Sequence, residues 1–387
     1  MKKKFFLLSL MFIAASGFAQ WQQTNLITQT VSCFANNGND IFAGAVGNGV
    51  YKSSNNSVNW TTVNSGLTNM QITSLALKGD TIFAGTSSNS IFLSINNGDS
   101  WTEVYNASLT CNVNALAING SHIVAGTVGP AGTGICLSSD NGSNWTPINT
   151  GMTNFNVSAL AISGTNIFSG GNYGVYMSSN NGSSWAPTNL SSIQVNALAV
   201  SGTNIFAGTN GGGVYLSSDN GNTWTEIDNG FTTYDVQALT INGNNIYAGT
   251  LGGGVLLSSD TGNTWSTVNT GLTNLDVSSL IFSGDTLYAG MSCGGICFLP
   301  LGTTEIVEIN NNNNNIEVYP NPAKYFLTIE NTSKSKIEIL NTEGQIIKTI
   351  NTEEKQIRIY LENFSRGVYI IKAKTDRGVA VRKFIKE

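Results

Sequence analysis

The sequence predicts an all-β chain: a seven-bladed β-propeller followed by a small Ig-like β-sandwich. Three observations carry this. The seven tryptophans recur at near-regular intervals of about 40 residues, the period of propeller blades. Between successive tryptophans lie four short segments rich in Val, Ile, Tyr and Thr, separated by Gly, Asn and Asp turns. Beyond an asparagine run at 310–315 the charge balance reverses.

The N-terminus carries Lys2, Lys3 and Lys4, then the apolar run FFLLSLMFIAA and the small-residue stretch SGFAQ. A charged start, a short apolar core and a small-residue cleavage site describe a secretory leader, so residues 1–19 are expected to be a signal peptide cut after Ala19. The core falls well short of the ~20 apolar residues of a membrane-spanning helix. No later stretch comes close, so the mature chain reads as exported, with no transmembrane segment.

Residues 20–302 form the repeat region. They hold two bases, Lys52 and Lys78, against twelve acids, and no arginine. That balance argues against nucleic acid as a partner, because phosphate binding rests on Lys and Arg. Each unit contains segments such as WTEID, VQALTI, IYAGT and GVYLSSD, which are four strands of a meander. A lone sheet of this kind leaves both faces uncovered, so neighbours must stack. The last unit ends in GICFLPL without a tryptophan strand, and the first begins with a spare one at Trp21. The N-terminal strand should therefore complete the final blade and close the ring.

Six tryptophans end a shared turn: SSNNSVNW at Trp60, SINNGDSW at Trp101, SSDNGSNW at Trp145, SSNNGSSW at Trp185, SSDNGNTW at Trp224 and SSDTGNTW at Trp265. Ser and Asp or Asn can hydrogen-bond the turn's own amides, Gly supplies a positive φ, and Trp fills the gap between blades. The turn resembles the Asp-box of sialidase-like (BNR-repeat) propellers. Ser138, Asp140, Gly142 and Trp145 match its positions, as do Ser217, Asp219, Gly221 and Trp224, and Ser258, Asp260, Gly262 and Trp265. Asn55, Asn96 and Asn180 replace the Asp and Ser57 replaces the Gly, which weakens only the first box. The resemblance implies that the boxes are structural and lie away from the ligand face.

Sialidases hold a substrate carboxylate with an arginine cluster, so the lack of arginine in residues 20–302 excludes that activity. His122, the single histidine, falls in a predicted turn. This leaves no Ser-His-Asp site and no histidine metal cluster; no metal and no cofactor are expected. The five cysteines are Cys33, Cys111, Cys136, Cys293 and Cys297. Cys293 and Cys297 flank a Gly-Gly turn and are the candidate disulfide.

Asp140, Asp219 and Asp260 are box positions, and Asp40, Asp80 and Asp285 fall in hairpin turns. What remains is one position per unit just before the VxAL strand: Thr30, Gln71, Asn112, Asn156, Gln194, Asp235 and Asp276. In a propeller this strand is innermost, so the register forms a polar ring at the channel mouth, with two acids on adjacent blades. Phe155 and Tyr234 precede ring residues, Phe231 lies in a connecting loop, and Tyr173 in a Gly-rich loop. With Gln194, Asp235 and Asp276 these aromatics form the candidate ligand site, a composition that suits a sugar or a peptide. A ring that merely hydrates a water-filled channel accounts for the same residues. The leading expectation is a non-catalytic binding module for a glycan or protein ligand. The alternative is a glycoside hydrolase with Asp235 and Asp276 as an inverting acid and base ~6 to 9 Å apart, although neither has an obvious partner to raise its pKa.

From Glu317 to Glu387 thirteen bases outnumber nine acids. IEVYPNPAKYFLTI, KIEILNTEGQIIKTI, QIRIYLENFSRGVYIIKAKT and GVAVRKFIKE alternate apolar and polar residues, the pattern of sandwich strands. Pro320, Asn321 and Pro322, then Gly344, then Gly367, Val368 and Tyr369, then Lys383 within KFIK stand in that order. The segment resembles the C-terminal sorting domain of type IX secretion substrates of Bacteroidota. The resemblance implies passage through the outer membrane by the type IX machinery, removal of this domain by a sortase-like peptidase, and attachment of the cargo at the cell surface. Residues 303–316, with their asparagine run, become the expected linker and cleavage region.

Overall fold

The computed structural model describes residues 20–38, 40–54, 59–87, 90–104, 112–129, 133–231, 233–301, 316–330, 334–341, 346–375 and 378–387. The expected leader, linker residues 303–315, Asn55, Ser57, Cys111 and Gly344 lie outside them. The chain divides into two compact units, Ala19–Leu301 and Gly302–Glu387.

Among the described residues the first unit contains seven four-stranded antiparallel sheets. Sheet one is Val31–Asn36, Asp40–Ala45, Gly49–Ser54 and Thr61–Thr62. Five more repeat this order, opening at Ile72, Asn112, Val157, Val195 and Val236. The last runs Val277–Ser283, Thr286–Met291 and Gly295–Pro300, and takes Gln22–Gln23 as its fourth strand. Gln22 pairs with Phe298 and Gln23 with Cys297, the closure that the spare tryptophan strand predicts. First strands of successive sheets pack side by side around the ring, and the last packs on the first. The unit is a β-propeller.

Second strands such as Asp40–Ala45 are buried along their whole length, because sheets cover them on both faces. This explains their apolar run ending in a small residue. A Cβ added at Gly249 would lie 2.7 Å from Val277 Cγ1, and one at Gly290 would lie 2.6 Å from Val31 Cγ1. The valine at the head of each first strand, or Ile72 in the second sheet, thus fills the hollow left by the preceding sheet's glycine, across the closure as elsewhere. Tryptophans add a polar stitch: Trp101 Nε1 donates to Val63 O (2.7 Å), Trp265 to Ile227 O (2.6 Å) and Trp21 to Val268 O (2.6 Å).

In the shared turn, Ser217 Oγ donates to Asp219 Oδ1 and accepts from Gly221 N, both at 2.8 Å. Asp219 also accepts from Thr223 N at 2.8 Å and Thr223 Oγ1 at 2.7 Å. Where Asn replaces Asp, Asn96 Nδ2 donates to Ser100 Oγ at 2.9 Å and the rest of the turn is kept. One feature departs from the expectation of a single positive φ. Both central residues adopt it, Asn220 at 58° and Gly221 at 86°.

Asp40, assigned to a hairpin turn by sequence, instead begins a strand and is buried. Lys52 Nζ lies 3.1 Å from its Oδ2, and it also accepts from Ser54 Oγ and Asn97 Nδ2. Burial raises its pKa, but these hydrogen bonds and the Lys52 charge outweigh that effect and hold it below the usual carboxylate value.

The second unit packs a three-stranded sheet, Glu317–Tyr319, Phe326–Glu330 and Gln356–Tyr360, and a four-stranded one, Ile346–Thr352, Ser335–Leu340, Gly367–Thr375 and Gly378–Lys386. Its core includes Leu327, Ile337, Ile371 and Phe384, together with Ile316, which the sequence reading placed in the linker. Tyr369 stacks on Phe384 at 5.3 Å and donates its hydroxyl to Ser365 O at 3.0 Å.

Candidate functional site: the channel mouth

One end of the propeller is built from the starts of the first strands, the crossovers leading into them and the turns between second and third strands. The shared turns lie at the other end. The polar register predicted from sequence falls at the first end, immediately before or at the start of each innermost strand. Its backbone is fixed locally. Thr30 O accepts from Val46 N, Gln194 O from Asn210 N, Asp235 O from Leu251 N and Asp276 O from Ser292 N, at 2.9 to 3.0 Å. Three ring amides are further held by an asparagine two residues earlier: Gln71 by Asn69, Asn156 by Asn154 and Asp276 by Asn274, at 2.8 to 2.9 Å. Such Asx turns fix the chain before a strand without tertiary help.

Below the ring each innermost strand carries a β-bulge two residues on, at Ser32, Thr73, Asn114, Ser158, Asn196, Gln237 and Ser278. Sequence reasoning missed this second polar register, although the variable residue of each VxAL segment marks it. Its side chains bridge to the next sheet: Ser32 Oγ to Ile72 O and Thr73 Oγ1 to Val113 O, both at 2.6 Å. Ser278 Oγ reaches Val31 O at 2.6 Å and closes the ring. The extra residue of a bulge leaves a carbonyl unpaired by its own sheet, and these hydroxyls satisfy it.

Asp235 and Asp276 stand immediately before the sixth and seventh innermost strands. One oxygen of Asp235, Oδ1, is buried with no hydrogen-bond partner. Gln194 is exposed and donates to Asn196 Oδ1 at 2.9 Å. Of the predicted aromatics, Phe155, Tyr173 and Tyr234 are exposed, Tyr173 to 64%. Phe231 is not part of this surface. It is 6% exposed and packs edge-on against Trp265 at 5.0 Å, as Leu67 and Met152 at the corresponding positions also sit in the core. The sequence reading missed Ile27, Val46, Leu251 and Leu275, which are exposed at the same end. Seven of the eight large exposed apolar side chains among the described propeller residues therefore lie on one face; Ile95 is at the other. The concavity beneath Tyr173, lined by Met152, Asn156 and Tyr176, holds only ≈ 10 Å³.

Cys293 and Cys297 are both free thiols, which corrects the disulfide expectation. Cys297 is buried within a strand pairing with Ala289, whereas Cys293 is exposed in a turn at φ 57° with its Sγ 3.5 Å from Thr30 Oγ1. Burial pushes the Cys33 thiol up to about 12. His122 begins a strand beside a hairpin turn, remote from the mouth. No cluster of three metal-ligating side chains occurs among the described residues.

Residues 317–387 match the secretion system C-terminal sorting domain, and residues 106–233 match the DUF6242 β-propeller domain. None of the curated proteins compared with the chain matches it. Similar solved structures include YCF48 bound to D1 peptide, at 17% identity and TM-score 0.60 over 74% of this chain and 98% of that one. The extracellular domain of BT4673 from B. thetaiotaomicron is 15% identical, with TM-score 0.60 over 94% of this chain and 52% of that one. The GH74 enzyme of Niastella koreensis is 16% identical, with TM-score 0.55 over 72% of this chain and 44% of that one. At these identities the likenesses show the β-propeller fold. The sorting-domain match shows a protein exported by type IX secretion, engaging that machinery and destined for the exterior and the cell surface. Among the described residues no helix is long and apolar enough to cross a membrane.

Proposed function

We propose that the exported propeller is a non-catalytic binding module whose channel-mouth face takes a protein or glycan ligand. The observation that carries the reading is the gathering of seven exposed apolar side chains around a polar ring on one face. Contiguous exposed apolar surface rimmed by polar groups marks interaction sites. In this reading the shared turns are Asp-boxes of the BNR kind in a seven-bladed ring, structural and remote from the ligand. The sorting domain is removed at the linker by a sortase-like peptidase when the propeller reaches the surface. The peptide-bound YCF48 propeller supports a protein ligand by analogy of fold alone.

The test is retention of the purified protein on plant and microbial polysaccharides and on immobilised peptides, with new reducing ends measured in parallel. Retention lost in Tyr234→Ser and Leu251→Ser but kept in Ile95→Ser on the opposite face is the expected result. Retention indifferent to the mouth substitutions overturns the reading. Release of reducing ends that disappears in Asp235→Asn or Asp276→Asn would establish the hydrolase instead, a reading for which the buried Asp235 Oδ1 and the GH74 likeness speak.

A further inference from the structure

The charge on the mouth face is one-sided. Asp235 and Asp276 lie in the ring, and Asp228 opens the turn that leads to Tyr234, its backbone carbonyl accepting from Phe231 N at 2.8 Å. Neither base of the propeller is on this face. Lys52 is ion-paired with Asp40 and donates to Asn97 O in a shared turn. Lys78 ends a first strand at the opposite end, its Nζ donating to Gly120 O at 2.6 Å. The mouth therefore presents carboxylates without any described cation beside them.

Two further features ask for a donor. Asp235 is partly exposed at the mouth and its Oδ1 has no hydrogen-bond partner within the protein, so its carboxylate keeps acceptor capacity that its own fold does not use. Glu226 and Asp228 lie close to each other in the same sector, and the neighbouring Asp228 carboxyl raises the Glu226 pKa. Close carboxyl pairs gain when a cation arrives between them. Tyr234 is exposed and immediately precedes Asp235 in the chain, its ring 6.3 Å from that of Phe231. An aromatic face beside a carboxylate holds an ammonium or guanidinium from two sides.

The hollow under Tyr173 is also small. Small-molecule sites occupy roughly 300–1,000 Å³, whereas the hollow under Tyr173 holds ≈ 10 Å³. That hollow cannot enclose a small molecule, so a partner there lies across the surface. On these grounds, and resting on the binding-module reading, we infer that the mouth face docks a protein segment presenting a lysine or arginine between apolar side chains. The cation sits at Asp235 beside Tyr234, and the apolar neighbours cover Leu251 and Leu275.

The test selects a phage-displayed random peptide library on the full exported chain. Enriched peptides are synthesised and their affinities measured at low and high salt for the wild type, Asp235→Asn, Tyr234→Ser and the opposite-face Ile95→Ser. Cys293 at the mouth provides a native reporter, since a docked peptide should slow its alkylation, followed by mass spectrometry of the Cys293 peptide. The expected result is enrichment of Lys or Arg flanked by apolar residues and protection of Cys293. Affinity should weaken about tenfold in Asp235→Asn, with loss of most of the salt dependence, and stay unchanged in Ile95→Ser. Peptides that protect Cys293 but are uncharged or acidic, or that bind Asp235→Asn as well as wild type, overturn this inference and leave the binding-module reading standing. Peptides that leave Cys293 unprotected, or failure to select any, overturn the protein-segment assignment; in that case the polysaccharide retention assay decides whether the mouth binds at all.

Discussion

Asn321 Oδ1 accepts a hydrogen bond from Ile385 N at 2.9 Å while Asn321 Nδ2 donates to Lys383 O at 3.0 Å. One amide side chain thus pairs with the final strand as a neighbouring strand would. The backbone continues the pairing, with Ala323 N donating to Ile385 O at 2.8 Å and Glu387 N to Ala323 O at 3.0 Å. The opening and closing motifs of the sorting domain are therefore one structural feature.

Asn321→Ala is expected to remove both side-chain bonds, each contributing about 1 kcal/mol, and to free the end of the last strand. Asn321→Asp keeps the acceptor for Ile385 N but loses the donor to Lys383 O, so its effect should be intermediate. Hydrogen exchange of the Ile385 amide measures this directly, and export in the native host should fall in the same order. Exchange at Ile385 unchanged in Asn321→Ala would show that the terminal strand is held without it.

The tryptophans make a second prediction because they are not equivalent. Trp101 Nε1 bonds Val63 O at 2.7 Å, whereas Trp60 Nε1 is buried with no hydrogen-bond partner. At the closure the Asn25 side chain instead holds the Trp60 backbone, accepting from its N at 2.8 Å and donating to its O at 3.3 Å. Trp101→Phe orphans a carbonyl; Trp60→Phe does not. Denaturant midpoints should show Trp101→Phe to be the more destabilising by about 1 kcal/mol. Tyr288, edge-on to Trp60 at 6.3 Å, also has a hydroxyl with no partner, and burial pushes its pKa up to about 12. Tyr288→Phe should be neutral or stabilising.

The repeat, the closing strand and the polar ring were all legible in the sequence, because each depends on a periodicity that near-copies make visible. Where the reading failed, a local pattern was judged without its sheet. Phe231 looked like a loop aromatic, but its counterparts Leu67 and Met152 are core residues, and comparison along the repeat would have shown a buried position. Cys293 and Cys297 are close in sequence, yet one lies exposed in a left-handed turn and the other is locked into a strand. Leu251 and Leu275 are single aliphatic residues at strand ends, and nothing short of the fold places them on one face. The same holds for Asn321 and Ile385, whose contact spans 64 residues.

Acid should loosen the propeller through its shared turns. Hydrogen bonds from Thr223, Ser217 and the backbone lower the Asp219 pKa to about 2, and Asp140 and Asp260 are lowered by the same kind of contact. A folded pKa below the unfolded value of ~3.9 gives stability that is complete above that value and is lost as pH falls through the folded one. The loss therefore belongs between about pH 4 and pH 2. Replacing Asp219 and Thr223 with the Asn and Ser found at Asn96 and Ser100 should keep the turn and flatten that part of the stability profile. A profile as steep as wild type in urea titrations at pH 4, 3 and 2 would contradict this role for the turn.

Thr261 gives the last prediction. Both central residues of the shared turn adopt positive φ, and the first of the two is Asn97, Asn141, Asn181 or Asn220 at 55° to 58°. In the sixth sheet that position is Thr261, at φ 61°. A β-branched side chain meets its own backbone there, whereas asparagine visits the left-handed region readily. Thr261 is exposed, so replacing it sacrifices little packing. Thr261→Asn should stabilise the propeller by about 1 kcal/mol, seen as a rise of roughly 2 °C in the melting temperature. The converse change, Asn220→Thr, should lower it by a similar amount. If both substitutions were silent, the left-handed turn would not be under strain at Thr261, and the preference for asparagine in the other sheets would need a different cause.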